Sequence, residues 1–410
     1  MPEKKRTAGI KPARRMAALA VMLMMLLAQA ARADGTTDLD NRIDRALRNH
    51  KTVGAAVVVA RDGEIIYQHY YGYAVTRLKE PVTESTYFRL ASVTKLVTAV
   101  RVMQLVEQGE MALDRDISEI LGYKVRNPYS RKTPVTLRML MTHTSSLDPH
   151  GGYSRESNTL RSLISTDKVK KGNWYNEVPG SAYRYSNFGA GIIGSLLECV
   201  TGTNIDRDVG DNVFRPMGIT ASYSAGLLPD PENIPYLYNP DGSLSDSRAK
   251  SIGKPWDEEI NPDMHYRITV GSLWMRPEDL CRIGMLLCDG GETGGKRLLQ
   301  AETVREMMDE QAGKGGITAR TPYGLCVHHE TTLLNGKTLY GHQGMSDGIL
   351  CSLYYDPETR FVFVLCSNGC NNQMENRVAH LTRKVFEAAW KAFGEKETRA
   401  EAPDAAGKSR

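Results

Sequence analysis

The chain has 410 residues, with 41% hydrophobic and 24% charged side chains. That composition excludes a disordered tail, a collagen-like fibre and a multi-span membrane protein, and the length suits one large domain or two. The formal charge of +4 is unevenly spread: residues 1–33 carry a net +6, so the remainder carries −2 and does not read as a nucleic-acid binder.

The N-terminus has the layout of an export signal. A basic stretch up to Arg15 is followed by the apolar run Met16–Ala30 and then Ala31-Arg32-Ala33, a small-x-small cleavage site. The run is about 15 residues, short of the roughly 20 needed to cross a bilayer. The expected mature protein starts near Asp34, carries no stable membrane anchor and is secreted or periplasmic. Seven cysteines follow (199, 281, 288, 326, 351, 366 and 370). Their spacing matches no metal site, and they read best as small buried hydrophobes, with a disulfide between some pair left open.

Residues 38–49 read as a short amphipathic helix with Leu39, Ile43, Ala46 and Leu47 on one side. Val53–Ala60 and Glu64–Tyr73 read as strands joined at Arg61-Asp62-Gly63. The spacing of Leu96, Val97, Val100, Met103 and Val106 predicts a helix from Ser92 to Gly109. Further helices are expected over 136–147, 186–201 and 277–289, and a long polar loop over 225–262. Ile349–Tyr355 and Arg360–Cys366 are nearly continuous apolar runs around Asp356-Pro357-Glu358-Thr359, as in a hairpin covered on both faces. Met374, Val378, Leu381, Val385, Ala389 and Phe393 predict a terminal helix, and 395–410 a disordered tail. The pattern is an α/β (α+β) chain in which one sheet is built from both ends, with a mostly helical insertion. The expected division is a sheet part of about 38–90 and 318–394 and a helical part of about 91–317, in one domain of 34–394.

Three short motifs carry chemistry. In Ser92-Val93-Thr94-Lys95 the i, i+3 spacing places both side chains on one helix face, where a partly buried lysine with a lowered pKa takes the serine proton. Ser165–Lys168, Ser247–Lys250 and Ser251–Lys254 share the spacing. Only Ser92 lies where an apolar approach meets an apolar-faced helix, whose N-terminus also offers N–H groups to an oxyanion. Taken alone, an N-cap serine explains it as well. The second motif is Tyr185-Ser186-Asn187. A phenol relays a proton when a lysine ammonium lowers its pKa, and an Asn amide both donates and accepts. The third is His342-Gln343-Gly344, just before the terminal hairpin, where a glycine lets a ligand backbone approach and the histidine orients substrate or assists a proton.

In this order the three motifs resemble the serine β-lactamase and penicillin-binding protein superfamily, in the branch with tyrosine in the second motif. Val135–Leu147, Arg276–Leu280 and Gly341–Gly344 are similar to further segments of it. The resemblance spans about residues 40–393. It implies a β-lactamase/transpeptidase-like fold, no metal or organic cofactor, and a small-molecule or peptide substrate: a D-amino-acid peptide, a β-lactam or an ester. It implies Ser92 as acylated nucleophile, Lys95 as its base and Tyr185 as proton donor to the leaving group. It further implies that Asn187 holds the substrate amide, that His342 and Gly344 line the substrate strand, and that the N–H groups of Ser92 and Met345 form the oxyanion hole. His-Gln-Gly replaces the Lys-Thr-Gly of class C β-lactamases, which favours D,D-peptidases, D-aminopeptidases and esterases over an efficient β-lactamase. Ser146 stands where the family often has glycine.

Overall fold

Alternation along the strands organises the molecule. In strand β1 (Gly54–Arg61), Ala55, Val57 and Val59 face one apolar cluster, and Ala56, Val58 and Ala60 face another. β6 (Ile349–Asp356) and β7 (Phe361–Ser367) divide in the same way, with Phe361, Phe363 and Leu365 on the first side and Val362, Val364 and Cys366 on the second. A strand buried on both faces needs apolar residues throughout, which is why these runs lack a polar period.

The protein is described by a computed structural model covering residues 37–394 except 169–170, 254–255, 257–258 and 372. The expected signal and the tail 395–410 lie outside the described residues. The sheet also holds β2 (Glu64–Val75), β3 (Glu80–Pro81), β4 (His328–Glu330) and β5 (Leu339–Ser346), in the antiparallel order β4-β5-β6-β7-β1-β2-β3. The β1–β2 turn places Asp62 and Gly63 at positive φ (52° and 79°), as a two-residue hairpin of right-handed twist requires. Both ends of the chain meet at β1–β7 pairing.

Helix α1 (37–49) and the terminal helix α5 (His380–Phe393) cover the first face, through Leu39, Ile43, Leu47, Leu381, Val385 and Phe386. On the second face lie α2 (Val93–Glu107), α3 (Asn187–Thr201) and α4 (Pro277–Cys288). α2 is buried on all sides from Val93 to Leu105, so its polar residues are paired inside: Arg101 holds Asp208 through two hydrogen bonds of 2.8 and 2.9 Å. α4 falls in the segment expected to belong to the helical part, yet it packs on β1, β6 and β7. Gly284 makes this possible, because a Cβ there would lie 2.4 Å from Val362 Cγ1 and 2.7 Å from Leu353 Cδ1.

Three expected elements differ. The helix expected over 136–147 is only Leu137–Met141, because His143 and Ser146 take positive φ (56° and 62°). This explains the usual glycine at 146; here Ser146 Oγ accepts from Asn127 Nδ2 (2.8 Å) and donates to the Ser145 carbonyl. The region 225–262 is not one loop. It holds a hairpin (Leu237–Tyr238 with Leu244–Asp246) and the short helix Arg248–Ile252, tied to the sheet by Asn368, which donates to the carbonyls of Tyr73, Ala74 and Tyr236. Pieces this short carry no periodicity to read. Met374 and Val378 belong not to the terminal helix but to a hairpin before it, turned by Asn376 and Arg377 at φ 51° and 70°. Six of the cysteines are buried and none is bridged; Cys351 and Cys366 face each other across β6–β7 with Sγ atoms 3.3 Å apart.

Adding carbon atoms to a filled interface costs about 1–3 kcal/mol. Gly284→Val is expected to destabilise the fold by at least that much, read as a lower midpoint in urea denaturation with an unchanged slope.

Candidate active site

Ser92 sits at the threshold of α2 with helical φ/ψ (−65°, −11°), and its hydroxyl makes no capping bond. The N-cap explanation therefore fails for Ser92. It holds for Ser247, whose Oγ accepts from the N–H of Lys250 at 3.2 Å. Preceding Ser92, Ala91 has φ +45°, a conformation that side chains rarely adopt and that costs on the order of 1–3 kcal/mol. This turn aims Ser92 Oγ out of the helix and toward Lys95.

Lys95 is 2% exposed, and its Nζ donates to Ser92 Oγ (2.9 Å) and to the Val270 carbonyl (2.7 Å). Burial lowers its pKa to about 7, and among the described residues no carboxylate pairs with it. The one group that opposes the shift, Cys326, is itself pushed up to about 12 by burial and stays a neutral thiol. The amine is thus poised near neutrality one hydrogen bond from the serine.

Tyr185 lines the same cavity as Ser92, with its phenol under the influence of the serine hydroxyl and Lys95 Nζ 5.4 Å from the ring centroid. About a third of the side chain opens into the cavity, but burial of the phenol raises its pKa well above the usual value. The expected sense is reversed: the lysine does not make the phenol acidic. Desolvation pushes the two groups apart, leaving Tyr185 a proton donor and Lys95 a proton acceptor.

Asn187 opens α3, where Ser186 is the N-cap and accepts from Gly189 N–H at 3.0 Å. The Asn187 amide bonds the Tyr153 hydroxyl, and its Oδ1 is buried without a partner, an acceptor left open. The third motif lies in β5. β4 covers the outer edge of β5 only from Leu339 to Gly341, so the edge from His342 to Met345 has no strand beside it. A Cβ on Gly344 would lie 2.2 Å from the Leu90 carbonyl and 2.7 Å from Ser92 N. The glycine is thus needed less for a ligand than for the nucleophile turn, which it lets β5 touch.

His342 differs most from expectation. It is fully buried, its Nδ1 bonds the Gln343 carbonyl (2.7 Å) and its Nε2 the Tyr323 hydroxyl (2.6 Å). A carbonyl only accepts, so Nδ1 carries the proton and Nε2 accepts from Tyr323. Burial holds the ring neutral, well below the usual histidine pKa. Both nitrogens are spent inside the protein, and no proton role is left for it. It stacks on His328 (ring centroids 4.2 Å apart), which burial drives down to about 3.

Residues not singled out for a role complete the site. His143 places its ring 4.2 Å from that of Tyr185 and accepts the Ser186 N–H at Nδ1 (3.2 Å). Burial keeps it neutral, and its Nε2 has no partner. The sequence signal for it was its place in Val135–Leu147, the stretch similar to a segment of the family, which gave it no role. Arg377 reaches the mouth of a cavity of about 440 Å³ lined also by Ser92, Tyr183, Tyr185, Asn187 and Met345. All seven expected residues (Ser92, Lys95, Tyr185, Asn187, His342, Gly344 and Met345) are thus gathered around one serine. The arrangement offers a nucleophile, a neutral base, a neutral acid and an open strand edge, the requirements of acyl transfer.

The family model described as Beta-lactamase matches residues 39–386. The chain is 33% identical to "Esterase EstB" of Burkholderia gladioli over 211 residues, 48% of this chain and 54% of the esterase. It thus spans about half the length of that relative. It is 27% identical to "Penicillin-binding protein 4" of Amycolatopsis lactamdurans over 335 residues, 80% of this chain and 84% of that protein. Among solved structures, the D-amino acid amidase of Ochrobactrum anthropi SV3 superposes with a TM-score of 0.65 at 23% identity, covering 88% of this chain and 99% of the amidase. At that identity the likeness is one of fold.

A base with a pKa of about 7 leaves a distinct pH signature. Only the neutral amine accepts a proton, so kcat/KM for a neutral substrate is expected to rise with pH up to about 7 and then level off. A limb that keeps rising toward the ordinary lysine range would contradict the neutral-amine assignment.

Proposed function

Because the chain belongs to the beta-lactamase family and is a serine hydrolase of that fold, we propose that it is an exported acyl-transfer enzyme acting on D-amino-acid peptides of the peptidoglycan type. The observation that carries the reading is the 2.9 Å bond between Ser92 and a buried lysine that has no counter-charge among the described residues. As Ser92 Oγ attacks the substrate carbonyl carbon, Lys95 takes its proton. The oxyanion is met by the N–H groups of Ser92 and Met345. Tyr185 gives its proton to the leaving amine and regains one from protonated Lys95. Water then attacks the ester on Ser92 and its proton passes through the same pair to Ser92 Oγ, as the bond between Oγ and the acyl carbon breaks and the acid is released. Asn187 Oδ1 takes the substrate amide N–H.

Two features support a peptide that ends in a carboxylate. The family's lysine in the third motif is replaced by a histidine that is neutral and fully engaged. Arg377 supplies a cation instead, at the mouth of the cavity that Tyr185 lines. The basic and apolar leader ending at Ala33 supports work outside the cytoplasmic membrane. The similarity to an esterase supports a second reading, hydrolysis of short acyl esters.

Incubation with benzylpenicillin, followed by intact mass, tests the mechanism. A lasting adduct that Ser92→Ala abolishes is expected, together with cleavage of a D-Ala-D-Ala peptide. Rapid loss of the drug without an adduct would instead indicate a β-lactamase, and ester turnover without either would favour the esterase. Tyr185→Phe is expected to lower kcat by about 10²–10⁴, the usual worth of a positioned proton donor.

A further inference from the structure

A second cavity, of about 350 Å³, is also lined by Ser92. Ser92, Asn187 and Met345 line both cavities, but Tyr185 lines only the first. The leaving group must lie where its proton donor is, so the first cavity takes the leaving group. The second, which holds Asn187 without Tyr185, is left for the acyl portion of the substrate.

Two arginines, Arg89 and Arg267, dominate the lining of this acyl-side cavity, and no carboxylate is among the described residues that line it. Arg89 is spent only in part: its Nε donates to the Gly271 carbonyl at 2.9 Å, and no further bond from its guanidinium is formed among the described residues. The acid whose charge reaches it, Asp246, is already paired with Lys250. Arg267 has no carboxylate partner there either. Its Nε is buried without a hydrogen-bond partner, and its guanidinium is held between the rings of Trp256 (5.5 Å) and Tyr266 (5.7 Å). Elsewhere in the fold, part-buried or buried arginines find acids: Arg101 with Asp208, Arg126 with Asp116, Arg138 with Asp114 and Glu306. Two partly desolvated guanidinium groups facing one polar cavity without an acid form a site with unmet demand for an anion, and a planar carboxylate matches their fork geometry. Tyr153 and Ser272 add hydroxyls to the same walls.

We infer that Arg89 and Arg267 form an acyl-side subsite for a carboxylate, so that preferred substrates carry an acid on the acyl portion as well as any acid on the leaving group. The inference rests on the acyl-transfer reading above and adds the chemical class of the acyl donor. It makes the enzyme selective for acidic acyl groups, such as a peptide bearing an acidic side chain, over neutral ones of the same length.

The test compares 4-nitrophenyl hydrogen adipate with 4-nitrophenyl hexanoate on the purified protein. The two share leaving group and chain length and differ by one terminal carboxylate. The expected result is a kcat/KM at least about tenfold higher for the adipate, the worth of one charge-assisted contact, shrinking as salt is added. Arg267→Gln should collapse the ratio and Arg267→Lys should keep part of it; because the readout is a ratio, a general loss of folded enzyme does not mimic the effect. Equal turnover of both esters, or a preference that Arg267→Gln leaves intact, would overturn the subsite and spare the acyl-transfer reading. Absence of any turnover that depends on Ser92 would overturn both.

Discussion

The site depends on one amine buried without a counter-charge. Lys95 sits on the first turn of a helix sealed on every side, and its Nζ finds a backbone carbonyl and a serine hydroxyl but no carboxylate among the described residues. A carboxylate beside it would have kept the ammonium charged and useless as a base at neutral pH. Desolvation does the opposite and brings its pKa to about 7. The same dry surroundings hold His143, His328 and His342 neutral, while Tyr185, about a third exposed, is raised as well. Exclusion of water is thus the main cause of the shift at Lys95 and of the neutrality of the three histidines.

Close packing at two glycines shapes this core. β5 touches the backbone of the turn before Ser92 because Gly344 has no side chain, and α4 settles on the side chains of the sheet because Gly284 has none. The price is local strain, visible in Ala91 and His143, both at positive φ. Strain of this size survives only where the surroundings leave no alternative, and here both residues are almost fully buried.

The cavity halves differ in what they demand. The cavity lined by Tyr185 is aromatic and histidine-rich and also holds Arg377; the one without Tyr185 is polar, with two arginines in its walls. Hydrolases of one fold differ in such walls more than in the nucleophile. Similarity to an esterase and a penicillin-binding protein, and a fold shared with an amidase, therefore say less about substrate than the distribution of charge around Ser92 does.

Much of this was legible in the sequence. Continuous apolar runs located β1, β6 and β7, and a period of 3.6 located α2, α3 and α4, because those segments are long and bury whole faces. Spacing put Ser92 and Lys95 on one helix face, but it was the order of the three motifs, and the resemblance that order carries, that singled out Ser92, Lys95, Tyr185 and Asn187 together. The hairpin at Asn376–Arg377 and the short pieces of 225–262 were not legible, since two- and three-residue strands exist only through partners far along the chain. Nor could sequence decide the protonation states. Local spacing determined which residues share a helix face; only the tertiary structure decided that Lys95 is dry, that His342 is spent on Tyr323 and that Arg267 pairs with no acid among the described residues. Neighbours along the chain follow from covalent geometry, whereas desolvation and pairing depend on groups brought together from opposite ends of it.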